Sequence, residues 1–332
     1  MAVHDTMPHI DLYQPVTVED AASLAARLRD KGWLVAGGQD TYDWLKDRVK
    51  SCDAMIDLKA LDALRGIRGG SSGIEIGALT TLTEVANDPL VKEHFALLSE
   101  AAGKVASPQI RNQGTLGGNI CQDTRCWYYR RGLTCYRAGG NLCYADGPQS
   151  MNREHAVFGA SRCVAVTPSD TAPALVALDA RMVVTSSTSS REIAAEDFFV
   201  SPAVDIERMT VLADDEILVS VRIPDTWAGA DFYFEKVADR NVWDFALVSI
   251  AAAFKGRGTI DAAHLVCGGV ACTPMRLAAV ERALAGKPRN AQSAESVAGI
   301  ASRGGDPLNH NAYKLTLMEN LVTRALRAGE SS

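Results

Sequence analysis

Five of the eight cysteines in this chain of 332 residues fall between Cys121 and Cys163, while Cys52, Cys267 and Cys272 stand apart from them. A disulfide framework distributes its cysteines through a small secreted domain, whereas clustering within one stretch of a long chain fits a metal site better. The fold must therefore be built around a cysteine-rich insertion at about 121–163. Cys126, Cys135, Cys143 and Cys163 are separated by 9, 8 and 20 positions, with Cys121 and His155 as further candidate ligands, and no C-x-x-C pair is present. Zinc ribbons usually contain that pair, so the spacing leans toward an iron–sulfur cluster held by four thiolates on a folded-back loop. Such a cluster is anionic, and Arg125, Arg130, Arg131, Arg137, Arg153 and Arg162 lie in the same stretch to offset it. Trp127, Tyr128, Tyr129, Tyr136, Tyr144 and Phe158 are available to shield it from water. A surface loop of free or zinc-binding cysteines is the alternative. Cys121, which follows the apolar Ile120, reads as a small core residue, as do Cys52, Cys267 and Cys272.

Outside the insertion the chain carries ordinary strand and helix patterns. Thr17 before Val18, Glu19 and Asp20 marks a helix start, with Ala21, Leu24, Ala25 and Leu28 at helical spacing and Gly32 as the stop. A strand over 33–36 leads into Gly37-Gly38, then the polar Gln39, Asp40 and Thr41, then a short helix carrying Trp44, Leu45 and Val49. Backbone amides approach a phosphate closely only where side chains are absent, so this glycine pair is a candidate anion cradle; a tight turn is the plain alternative. The stretch 112–119, NQGTLGGN, supplies three more glycines with Thr115 and Asn119. Two such loops can hold the two ends of a pyrophosphate. Neither matches the G-x-G-x-x-G fingerprint of a Rossmann domain.

The segment 73–82 alternates as a strand and 82–87 begins another helix. After Cys163 apolar runs return at 164–166, 172–178 and 182–185, and a second lobe is expected to begin near Glu192, with strands at 216–223, 232–237, 246–254 and 265–270. Helices at 275–284, with Thr273-Pro274 as N-cap and first-turn proline, and at 313–326 close it. Strand runs followed by helices predict α+β lobes. A formal charge of -6, without a long run of one sign, argues against a nucleic-acid partner. The first residues include Asp5 and Asp11 and no apolar stretch, so no membrane span or export signal is expected there. The expected compartment is the cytoplasm, or the periplasm if a signal-bearing partner exports the chain with it.

Four motifs stand in a recognisable order: Ala36-Gly37-Gly38-Gln39-Asp40, Ile76-Gly77-Ala78-Leu79, Thr115-Leu116-Gly117-Gly118-Asn119 and Thr167-Pro168-Ser169-Asp170. With them the chain resembles the FAD-binding subunit of the xanthine dehydrogenase (molybdenum hydroxylase) family. The likeness runs on through Glu216-Ile217-Leu218 and Glu235-Lys236-Val237 into the C-terminal lobe. Asp123-Thr124-Arg125-Cys126 with three later cysteines resembles the subgroup whose flavin subunit carries an additional 4Fe-4S cluster, represented by 4-hydroxybenzoyl-CoA reductase and a bacterial aldehyde oxidoreductase. Gly268-Gly269-Val270-Ala271 and Pro274-Met275-Arg276 look more like the aldehyde enzyme.

The resemblance implies an α+β fold: a two-lobed FAD-binding (PCMH-type) domain over 1–190, followed by an α+β C-terminal domain over 191–332. It implies that Val35, Ala36, Gly37, Gly38, Gln39, Asp40 and Thr41, with Thr115, Leu116, Gly117, Gly118 and Asn119, hold the FAD pyrophosphate by backbone amides. Asp170 would take a ribose or adenine-side hydroxyl, Leu218 and Lys236 would lie near the isoalloxazine, and Cys126, Cys135, Cys143 and Cys163 would ligate the cluster. Without the family, Asp170 reads as a helix N-cap and Lys236 as a solvated strand-edge charge. The implied partners are a molybdopterin-binding large subunit and a 2Fe-2S small subunit, with ferredoxin or another carrier as external donor or acceptor. An aldehyde or aromatic substrate would bind on the partner. Two rival readings are a standalone FAD-dependent reductase of the same fold and a zinc-stabilised interaction module. The first needs an acid–base residue that the sequence does not nominate, and the second leaves the paired glycine loops unexplained.

Overall fold

Thr17 caps the first helix as its sequence requires: its hydroxyl accepts the Asp20 amide at 3.0 Å, and Val18–Leu28 buries Ala21, Ala22 and Ala25. In the computed structural model, which describes residues 7–330, this helix joins β1 (Asp11–Tyr13) to β2 (Gly32–Val35). Strand β3 (Ala54–Asp57) lies between them and runs parallel to both. Gly32 does not stop the helix. Arg29 turns the chain at φ 48°, a 3-10 turn spans Arg29–Lys31, and Gly32 opens β2. Because the sheet is parallel, β2 delivers Gly37-Gly38 beyond its carboxyl end, the usual place for ligands in such sheets.

The second sheet is antiparallel and contains β4 (Ile67–Gly70), β5 (Gly73–Gly77), β6 (Arg181–Thr185), β7 (Ser190–Ala194) and β8 (Ile217–Pro224), in the order β4-β5-β8-β6-β7. The expected boundary at 190/191 falls inside this sheet. Strand β8, read from sequence as the first strand of a second lobe beginning near Glu192, sits at its centre, with Val221 opposite both Ile76 and Met182. These side chains join one core with the helices Ala96–Gly103 and Thr171–Ala177.

The third sheet, also antiparallel, has the order β12-β11-β10-β9 and consists of β9 (Asp231–Val237), β10 (Val248–Lys255), β11 (Ala262–Gly268) and β12 (Met275–Arg276). Its alanine-rich strand β10 is buried on both faces. Ala251 and Ala253 join the core of the second sheet, while Ile250, Ala252 and Phe254 join a separate core under Ala278–Leu284, Ala291–Val297 and Tyr313–Arg327. Small side chains let both layers approach the same strand. The helix expected over 275–284 divides, since Met275 and Arg276 pair with Cys267 and Val266 and the helix begins only at Ala278. Residues 121–163, all described, form a short helix at Trp127–Arg130 and 3-10 turns at Tyr136–Ala138 and Tyr144–Asp146. Among the described residues no helix is long and apolar enough to cross a membrane.

Candidate functional site

The two glycine loops meet. A Cβ on Gly37 would fall 2.1 Å from the Gln113 carbonyl oxygen and 3.1 Å from Gly114 Cα, so only glycine allows this approach. The loops differ in the amides they offer. Among the described residues no acceptor is bonded to the amides of Gly37, Gly38, Gln39 or Asp40; the next engaged amide is that of Tyr42, on the Gly38 carbonyl at 3.2 Å. In the second loop Leu116 donates to Thr80 O at 2.9 Å, Gly117 to Ala78 O at 2.8 Å, Gly118 to Thr115 Oγ1 at 3.1 Å and Asn119 to Thr115 O at 2.9 Å. The amides of 116–119, expected to hold phosphate, are thus spent within the fold. Leu116 is a core side chain, and a Cβ on Gly117 would strike Ala78 O at 2.9 Å. Val35 closes the strand and is buried. Ala36, Gly37–Thr41, Thr115, Gly118 and Asn119 line a cleft of about 500 Å³. Cys121, expected in the core, is exposed on its wall, whereas Cys52, Cys267 and Cys272 are buried as read.

Asp40 ties the first glycine loop to the cysteine insertion. Its carboxylate lies 2.7 Å from Arg130 and 3.2 Å from Arg125 and accepts the Asp123 amide at 3.0 Å. The Arg130 guanidinium in turn rests 3.6 Å over the Trp44 ring. Thr41 Oγ1 accepts from Trp33 Nε1 at 3.1 Å.

Arg125, Trp243 and Phe245 line both this cleft and a second one of about 480 Å³. Trp243 and Phe245 are functional candidates that the motifs do not reveal. Trp243 is 59% exposed at φ 79°, with its amide on Ala106 O at 2.9 Å, and such strain in a bulky residue points to function. The sequence signal is an aromatic pair, Trp243 and Phe245, in a polar link between two strands.

Asp170 lines the second cleft and pairs with Lys236, whose Nζ lies 2.5 Å from Asp170 Oδ2 and also donates to Lys104 O at 3.0 Å. Burial pushes the Asp170 carboxyl up to about 6, against the pull of the Lys236 ammonium. Asp170 does stand at the N-cap position of Thr171–Ala177, but its side chain makes no capping bond, and Ser169 accepts the Ala172 amide at 3.1 Å instead; Lys236 is not a solvated strand-edge charge, because its side chain is buried. Asn119 Oδ1 takes hydroxyls from Ser169 at 2.7 Å and Thr171 at 2.6 Å, binding the second glycine loop to this motif. Leu218 faces the second-sheet core opposite Val184 and lines neither cleft.

Cys126, Cys135, Cys143 and Cys163 are free thiols around one narrow cavity, with Tyr128, Tyr129, Tyr144, Arg137 and His155 in its wall. Among the described residues no three His, Cys, Asp or Glu side chains converge as the ligands of a single ion do; the four thiols surround a cavity instead. Burial pushes the Cys126 thiol up to about 12 and that of Cys143 upward, so ionised sulfurs here require a cation or metal beside them. Arg137 is buried, donates to Glu207 O at 2.6 Å and stands 3.6 Å from Asp123. Of the six arginines expected to offset a cluster, it alone lines the cavity; Arg125 and Arg130 belong to Asp40, and Arg153 pairs with Asp239 at 2.6 Å. Phe158 packs into the C-terminal core instead of shielding the thiols. Arg137 Nε and His155 Nδ1 by this cavity, and Arg125 Nε and Ser249 Oγ by the second cleft, are buried without a partner among the described residues. Four soft donors around a cavity fit an iron–sulfur group, and free amides beside orphaned polar atoms fit an anionic cofactor.

Comparison with known proteins gives the family and its flavin cofactor. Residues 8–226 match the family described as FAD binding domain in molybdopterin dehydrogenase, and residues 233–328 match the CO dehydrogenase flavoprotein C-terminal domain. The chain is 32% identical over 318 residues to the FAD-binding subunit of an aldehyde oxidoreductase from Escherichia coli (strain K12), covering 95% of this chain and 96% of that one. It is 27% identical to the carbon monoxide dehydrogenase medium chain of Hydrogenophaga pseudoflava, covering 97% of each. A solved structure of carbon monoxide dehydrogenase from the same organism superposes with a TM-score of 0.77 at 26% identity, over 98% of this chain and 99% of that one. The chain therefore belongs to the molybdopterin dehydrogenase flavoprotein family, as an FAD-binding oxidoreductase subunit of the xanthine dehydrogenase and carbon monoxide dehydrogenase type.

Proposed function

We propose that this subunit holds FAD across the two adjoining clefts and a 4Fe-4S cluster in the four-thiol cavity, and that it passes electrons between its partners and an external acceptor or donor. The partners in this reading are the molybdopterin-binding large subunit and 2Fe-2S small subunit that the sequence resemblance implies; two relatives are themselves named as an FAD-binding subunit and a medium chain. The observation that carries the flavin assignment is the run of unbonded amides from Gly37 to Asp40, held against Gln113 and Gly114 at the mouth of a cleft.

FAD supplies two-electron and one-electron exchange when bound; the chain supplies position and electrostatics. The amides of 37–40 take the pyrophosphate, as backbone donors do at such turns. Thr115 keeps the second loop in place by accepting the Gly118 amide, Asn119 ties that loop to Ser169 and Thr171, and Asp170, its charge balanced by Lys236, takes a hydroxyl in the second cleft. Trp243 and Phe245 offer faces for a flat ring where the clefts join. Leu218 supports the second sheet from within. Cys126, Cys135, Cys143 and Cys163 hold the cluster, with Arg137 as the nearest countercharge. The substrate, an aldehyde by likeness to the first relative or else an aromatic compound, binds on the partner, and the compartment is the cytoplasm or, by co-export, the periplasm.

Titrating FAD into flavin-stripped protein while following tryptophan fluorescence tests the cleft assignment. Saturable binding with quenching of Trp33 and Trp243 is expected, since both line the clefts. A failure to bind overturns it.

A further inference from the structure

We infer that His155 tunes the electron affinity of the group held by the four cysteines, by donating an Nε2–H hydrogen bond to the Cys126 thiolate in the wall shared with the second cleft. The inference rests on the cluster reading and adds to it a residue outside the ligand set.

His155 Nε2 lies 3.2 Å from Cys126 Sγ. Against an ionised, ligating sulfur only the protonated Nε2 is stabilising, which leaves Nδ1 as the acceptor nitrogen; Nδ1 is buried and has no partner among the described residues. His155 is 4% exposed, and its backbone is fixed from several sides. The His155 amide donates to Asn152 O at 3.1 Å, and Asn311 Nδ2 donates to the His155 carbonyl at 3.0 Å and to that of Ala156 at 3.1 Å. One residue earlier, the Glu154 carbonyl accepts Lys314 Nζ at 2.8 Å. Asn311 and Lys314 are themselves fully buried, so the C-terminal lobe holds the imidazole against the sulfur.

The position matters as much as the contact. Thr124, Cys126, His155 and Ala165 line both the thiol cavity and the second cleft, and of the four cysteines only Cys126 does so. Among the described residues His155 is the side chain in hydrogen-bond contact with this sulfur. His155 is therefore the adjustable donor on the cleft side. A hydrogen bond to a ligating sulfur favours the more negative, reduced state and raises the reduction potential.

A redox titration followed by EPR, on anaerobically purified wild type, His155→Leu and His155→Gln, tests this. His155→Leu is expected to keep its iron and to shift the reduction equilibrium against the reduced state about tenfold, about 59 mV for a one-electron couple. His155→Gln retains a side-chain N–H donor and is expected to stay near wild type. An iron-loaded His155→Leu with the wild-type midpoint overturns the inference and leaves the cluster reading standing, whereas an iron-free wild type overturns both. Should His155→Leu lose its iron, pulsed EPR on wild type labelled with 15N-histidine decides the matter: hyperfine coupling of a histidine nitrogen to the reduced cluster is expected, and its absence overturns the inference.

Discussion

Lys236 Nζ lies 2.5 Å from Asp170 Oδ2 with both side chains shut away from water, so two residues that motif reading places separately at the flavin form one buried ion pair. Deleting either partner strands a buried charge, which costs about 3–5 kcal/mol. Lys236→Met and Asp170→Asn are each expected to destabilise on that scale in urea unfolding. The double variant is expected to lose well under the sum, because neither charge is then left alone. Additive losses would show that the pair is not coupled.

Gly37 and Gly118 belong to equivalent-looking motifs but meet different surroundings. A Cβ at Gly37 lands 2.1 Å from a backbone oxygen, whereas one at Gly118 meets only Thr115 Oγ1 at 3.0 Å. Gly37→Ala is expected to cost about 1–3 kcal/mol by overpacking and to lose bound flavin. Gly118→Ala is expected to keep most of it, as measured by the flavin-to-protein ratio. Equal retention would contradict the assignment of the cradle to the first loop.

Local signals account for what is legible in the sequence. Thr17 caps Val18–Leu28, the glycine pair follows β2, and the alternation at 73–77 is a strand, since caps and short-range periodicity act within a few residues. The sheet to which β8 belongs is not legible. Its alternating apolar residues suit either lobe, and the choice is made by partners such as Glu75, which accepts from Ser220 across 145 positions. Spacing likewise reveals the glycines of 114–118 but not that Ala78 and Thr80 consume the neighbouring amides. The buried contact between Asp170 and Lys236, and the strained Trp243, arise only when the third sheet closes on the first two lobes.

Lys314 is fully buried on the carbonyls of Glu154 and Gly269, and burial lowers its ammonium from 10.5 to about 7. The unfolded chain then binds the extra proton between about pH 7 and 10, so this group's contribution to stability rises with pH through that window. Relative to Lys314→Met, the wild type is expected to gain on the order of 4 kcal/mol from pH 7 to 10. Thermal unfolding across that range checks the difference, and a flat difference would place the lysine in contact with water.

If one chain holds both flavin and cluster, metal and flavin analysis of the anaerobically purified protein, with its absorption spectrum, finds the two together. The expected result is about one FAD and about four irons per chain, with Cys135→Ala losing the iron and keeping the flavin. Flavin without iron would contradict the cluster, and zinc without yellow colour would contradict the account as a whole.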